Sequence, residues 1–108
     1  MTTDYSAVWD NKQTQQLVWA LFSIESENDM KNFLRDVMTE KEIIEISLRL
    51  EAASMLMQGA KYTDIVSRTK LSSRTVARIS DWMKNGCNGY AVVLKNDKHI
   101  HTLPAHAV

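Results

Sequence analysis

The sequence predicts an all-α fold in one small domain, and three observations predict it. Apolar residues recur at i, i+3, i+4 and i+7 along much of the chain, the spacing of one helical face. Capping residues stand where these runs begin, and glycines stand where they end. With three Gly and one Pro in 108 residues, the chain has too few breakers for a many-turned β protein. The length suits a single domain; about a third of the unfolded surface would stay exposed after folding, so a partner subunit would help. Apolar residues make up 44% and charged residues 24%, which is too apolar for an intrinsically disordered chain.

The first helix is expected over residues 13–24, where Leu17, Val18, Ala20, Leu21, Phe22 and Ile24 form a wide apolar arc. Ser26 is placed to cap the second helix through its hydroxyl, with Asp29 in the first turn, where the helix dipole favours an acid. Met30, Phe33, Leu34 and Val37 then mark one face of that helix. Thr39 and Glu42, three apart, form a capping box that opens a third helix, from about Glu40 to Gln58, ending at Gly59. Along it Ile43, Ile46, Leu50, Ala53 and Met57 recur at steps of 3 and 4, and Ile44, Leu48 and Met55 widen the arc. So broad an apolar surface predicts a central helix buried from more than one side, one that a second subunit can share. The methionines here read as core filler rather than as ligands.

Two short helices follow. One runs from Thr63 to about Thr69 and holds Ile65 and Val66; the other runs from Ser72 to about Asn85 and holds Val76, Ile79 and Met83. Lys70-Leu71 leaves room only for a tight turn between them, and Asn85-Gly86 closes the second. Ala91-Val92-Val93-Leu94 reads as a short strand or docking segment, and the polar, Pro-containing end from Lys95 reads as a loosely held tail. The expected organisation is therefore one helical domain over residues 1–94 and a tail over residues 95–108.

Several function classes find no support. Cys87 is the one cysteine, which excludes an internal disulfide and points to a reducing compartment. The first residues, Met1 to Gln13, lack the basic-then-apolar pattern of a secretory signal, and no apolar stretch approaches the roughly 20 residues of a membrane span. A cytoplasmic location with no membrane partner is expected. His99, His101 and His106, with Cys87, match no zinc-ligand spacing, so no metal site is expected. No histidine lies at motif spacing to activate Cys87, and Glu40, Glu42, Glu45 and Glu51 fall on the polar side of a helix. There is no glycine-rich phosphate loop and no nucleophile elbow. No catalytic residue is assigned, and the chain is not expected to be an enzyme.

The zero net charge hides an asymmetry. Residues 1–60 carry five bases against ten acids, net −5, whereas residues 61–108 carry eight bases against three acids, net +5. The two short helices and their turn have the pattern of a helix-turn-helix over about residues 61–86, a segment with six bases against two acids. Ile65 and Val66 would pack the first helix, Leu71 would plug the turn, and Val76 and Ile79 would anchor the second. The opposite face of the second helix is then free to enter a major groove of double-stranded DNA. Ser72 caps that helix, whose free N–H groups suit a phosphate. Ser73 and Arg74 stand where a recognition helix reaches base edges, and Arg matches the paired acceptors of guanine. Thr75 and Arg78 suit phosphate contacts, and Lys61, Thr63, Arg68 and Lys70 can grip the backbone around them. Each arginine alone could belong to a solvated helix face, together with Asp81. The two capped helices, the turn spacing and the local charge jointly favour nucleic acid.

The stretch from Met38 to Tyr90 resembles the Trp repressor superfamily, in particular its Trp-repressor-related branch. The resemblance covers about residues 13–94. Its most specific parts are Met38-Thr39-Glu40-Lys41-Glu42, Arg49-Leu50 with Gly59, Tyr62-Thr63-Asp64-Ile65, and Thr75-Val76-Ala77-Arg78. It implies an all-α, intertwined homodimer that binds an operator through two symmetry-related helix-turn-helix units. In the family's co-repressor site two arginines hold the indole; Arg49 and Arg78 match them, and Thr39 matches a position near the ligand's amino group. This chain departs from the pattern at Ile79, where the family has a glycine, and at Trp82, where it has a serine. A branched side chain in that slot is expected to exclude L-tryptophan, which leaves room for an unidentified small-molecule effector. The expected function is a dimeric, sequence-specific transcriptional regulator, most simply a repressor on a palindromic operator. The alternative is a helical protein–protein interaction module that keeps the fold without DNA binding; it would pass through heparin at low salt.

Overall fold

A computed structural model describes residues 6–95. It is all-helical among those residues: after a short 3-10 turn at Ser6–Trp9 come α1 (Lys12–Ser23), α2 (Glu27–Val37), α3 (Glu40–Met57), α4 (Tyr62–Thr69), α5 (Ser73–Asn85) and α6 (Gly89–Lys95). The helix starts follow local capping chemistry. Asn11 Oδ1 accepts from the Thr14 amide at 2.8 Å, and Ser26 Oγ accepts from the Asp29 amide at 3.0 Å. The Thr39–Glu42 box is reciprocal: the Thr39 amide donates to Glu42 Oε1 at 2.9 Å, and the Glu42 amide donates to Thr39 Oγ1 at 3.1 Å. Thr39 holds the Glu42 carboxyl below its ordinary pKa, first through its backbone amide and second through its side chain.

α3 stops in a Schellman turn. Gly59 takes φ +82°, its amide donates to the Leu56 carbonyl, and the Ala60 amide reaches back to the Met55 carbonyl, both at 3.0 Å. Glycine is needed there because other side chains rarely adopt that φ. At Gly86, after α5, a Cβ would run into the Trp82 carbonyl oxygen, so that position also requires glycine.

Contacts group the chain into two compact units, Met1–Glu45 and Ile46–Val108, with the boundary inside α3. In the first unit neither α1 nor α2 buries a residue. Trp19 is 66% exposed and Phe22 89%, and Leu17, Val18 and Val37 are also open to solvent. The 3-10 turn is tied to α1 by the Thr14 hydroxyl, which donates to the Val8 carbonyl at 2.7 Å, and by Gln15 Nε2, which donates to the Trp9 carbonyl at 2.9 Å.

The second unit holds the core. Ala52, Ala53, Ile65, Val76, Ile79 and Leu94 are buried together, with Leu50, Met55, Leu71, Met83 and Tyr90 packed against them. Burial of α3 is therefore confined to Ala52 and Ala53, while Ile44, Ile46 and Met57 stay exposed. The segment 91–94 is not a strand but the body of α6, and it docks on the core through Leu94. Tyr90 and Leu94, four residues apart, share the face that meets the core, and this packing overrides the strand preference of Val92-Val93. The tail beyond Lys95, with His99, His101 and His106, lies outside the described residues.

Candidate nucleic-acid interface

α4 and α5 pack against each other, and their mutual angle is set by the turn between them. Lys70 occupies the left-handed region at φ 63°, and its amide donates to the Val66 carbonyl at 2.8 Å. Beside it Thr69 is 1% exposed. Its hydroxyl donates to the Ile65 carbonyl at 2.7 Å and accepts from the Leu71 amide at 3.2 Å. One buried hydroxyl thus fastens the end of α4 to the turn. Sequence reading did not single out Thr69. The available signal was a threonine in a last helical turn, four residues after a core isoleucine, where back-bonding to the i−4 carbonyl is common.

Ser72 caps α5: its Oγ accepts from the Thr75 amide at 3.1 Å and donates to Thr75 Oγ1 at 3.0 Å. Val76 and Ile79 are fully buried and Ser80 nearly so, so the inner face of α5 is fixed to the core. Ser73, Arg74, Ala77 and Arg78 are exposed on the helix, and Thr75 is half-buried. Lys61, Thr63 and Lys70 are exposed as well. Arg68 is exposed but engaged, its Nε 3.2 Å from Glu51 Oε1, an ion pair joining α4 to α3. Asp81, the acid on the later part of α5, accepts a hydrogen bond from Asn85 at 2.9 Å. The exposed start of α5 therefore offers two arginines and a free serine on a helix whose opposite face is buried.

The residues matched to a co-repressor site fall in both units. Thr39 belongs to the first unit, where its hydroxyl is occupied as the α3 cap. Arg49 and Arg78 belong to the second; Arg49 is half-buried with its Nε shielded from solvent. Ile79 is enclosed in the core, and Trp82 is 38% exposed. Among the described residues no group of His, Cys, Asp or Glu could hold a metal ion, Cys87 is exposed, and no helix is long and apolar enough to cross a membrane.

The sequence profile of the Trp repressor protein family matches residues 12–98. The chain belongs to the Trp repressor family. Among relatives, the uncharacterized protein YerC of Bacillus subtilis is 30% identical over 91 residues, which span 84% of this chain and 88% of YerC. A TrpR-like protein from Eubacterium eligens superposes with a TM-score of 0.79 at 28% identity, covering 91% of this chain and 98% of that one. A candidate Trp repressor from Staphylococcus aureus also gives 0.79, at 25% identity, over 86% and 93% of the two chains. Membership in the Trp repressor family makes DNA-binding regulation the activity to expect of this scaffold.

Proposed function

We propose that the protein is a sequence-specific transcriptional regulator that represses by occupying a palindromic operator as a homodimer. The observation that carries this reading is the start of α5, where Ser73, Arg74 and Arg78 are exposed while Val76 and Ile79 lock the opposite side. In this reading Ser73 and Arg74 read base edges. Lys61, Thr63, Lys70, Thr75 and Arg78 position the helix against phosphates, and Ser72 holds the helix start that faces them. Arg68 joins them through the guanidinium nitrogens that its single Nε contact with Glu51 leaves open.

The homodimer rests on the first unit, whose helices bury nothing of their own while exposing Leu17, Val18, Trp19 and Phe22. A second copy of the chain is the partner that covers them. Its two-fold axis sets two half-sites about 34 Å apart or a multiple of that. If the dimer neutralises about eight phosphates, log K falls against log salt with a slope near −7.

Arg74→Ala tests the assignment. It is expected to cost about 1–3 kcal/mol at one base pair and to relax specificity there. Equal loss across every operator variant would make Arg74 a phosphate contact and remove it from the readout. L-tryptophan is not the effector in this proposal: the branched Ile79, fully buried, stands where the family's co-repressor site has a glycine. Calorimetric titration of the protein with L-tryptophan is expected to give no binding heat, and a saturable isotherm would contradict that.

A further inference from the structure

We propose that Ala77 reads the 5-methyl group of a thymine in each half-site, and so is a specificity-determining residue of the interface. This rests on the DNA reading above and names what one more side chain of that surface recognises. Val76, Ile79 and Ser80 are buried, so the orientation of α5 is fixed. Ala77 is exposed, three residues after Arg74 and four after Ser73, which places it on the same stripe of the helix one turn farther along. Among residues 73–78 it is the one exposed apolar side chain.

A methyl group can neither donate nor accept a hydrogen bond, so it cannot read the acceptors of guanine or the amino group of cytosine. Its complement on a major-groove edge is the thymine C5-methyl. Its small size also lets the backbone of α5 approach the bases, while Arg74 and Arg78 on either side extend to acceptors farther away. Three to four residues advance the helix by about 4.5–6 Å, against about 3.4 Å per base pair, so the thymine lies within about two base pairs of the one Arg74 reads.

The experiment uses an operator recovered by selection from a random-core duplex library. Each thymine of one half-site is replaced in turn by deoxyuridine, which deletes only the methyl group. One replacement is expected to weaken the wild-type protein about fourfold, and the symmetric pair roughly 15-fold, the effect of one buried methyl per site. Ala77→Ser and Ala77→Gly are expected to bind the thymine and deoxyuridine duplexes equally. Ala77→Ser keeps the discrimination readable should Ala77→Gly loosen the helix. An alanine kept for helix propensity alone predicts no preference in the wild type; that result, or a preference that survives in both variants, overturns the proposal. Failure to recover any operator overturns the DNA reading itself, and is distinct from an operator indifferent to its thymine methyls.

Discussion

Thr69 is the residue on which the helix-turn-helix angle depends most directly. Its hydroxyl is enclosed and serves two backbone groups at once, the Ile65 carbonyl and the Leu71 amide. Thr69→Val preserves shape and removes the hydroxyl, leaving the Leu71 amide without its acceptor. The expected loss is about 1–3 kcal/mol in urea unfolding, with Thr69→Ser close to wild type. A Val variant as stable as wild type would mean the turn is held by Lys70 and Leu71 alone. Little of this was legible in the sequence: a threonine at a helix end is ordinary, and its importance arises only from burial. The exposure of Arg74 and Arg78 was legible because an anchored helix leaves few choices for its outer side. Arg68 was only partly so, since its Glu51 partner is 17 positions earlier in the chain and no local pattern links them.

At the scale of elements, helix starts were the most legible feature because capping is local. Ser26, Thr39 with Glu42, and Ser72 all make the bonds their spacing predicts. The α3 box has a pH signature. Its hydrogen bonds lower the Glu42 pKa in the folded chain, so the stability it supplies is complete above the ordinary value of 4.5 and is lost as pH falls through the lowered one. Glu42→Gln keeps the acceptor but does not titrate. The wild type is therefore expected to lose stability relative to this variant as pH falls below about 4.5, measured by urea midpoints between pH 6 and 3. Parallel midpoints over that range would contradict the assignment. α6 was not legible, because an Ala-Val-Val-Leu run is equally compatible with a strand until Tyr90 and Leu94 find the core.

For the whole molecule, periodicity revealed which faces are apolar but not what covers them. α1 and α2 carry the expected stripes, yet neither buries a side chain, and Phe22 is almost fully open. In α3 the wide arc is buried only at Ala52 and Ala53. The proposed homodimer accounts for both facts, and it also brings two copies of the α5 surface into one two-fold assembly. The opposed charges of the chain's two halves suit the same division, an acidic N-terminal part and a basic part that carries the proposed DNA surface. The most direct test is to incubate the purified protein with a random-core duplex library at moderate salt, without added ligand, and sequence what is retained. Enrichment of a palindrome with half-sites about 10–10.5 base pairs apart, or a multiple of that, is the predicted result. Retention of no preferred sequence, or of one without two-fold symmetry, would contradict the dimeric, sequence-reading regulator proposed for this fold.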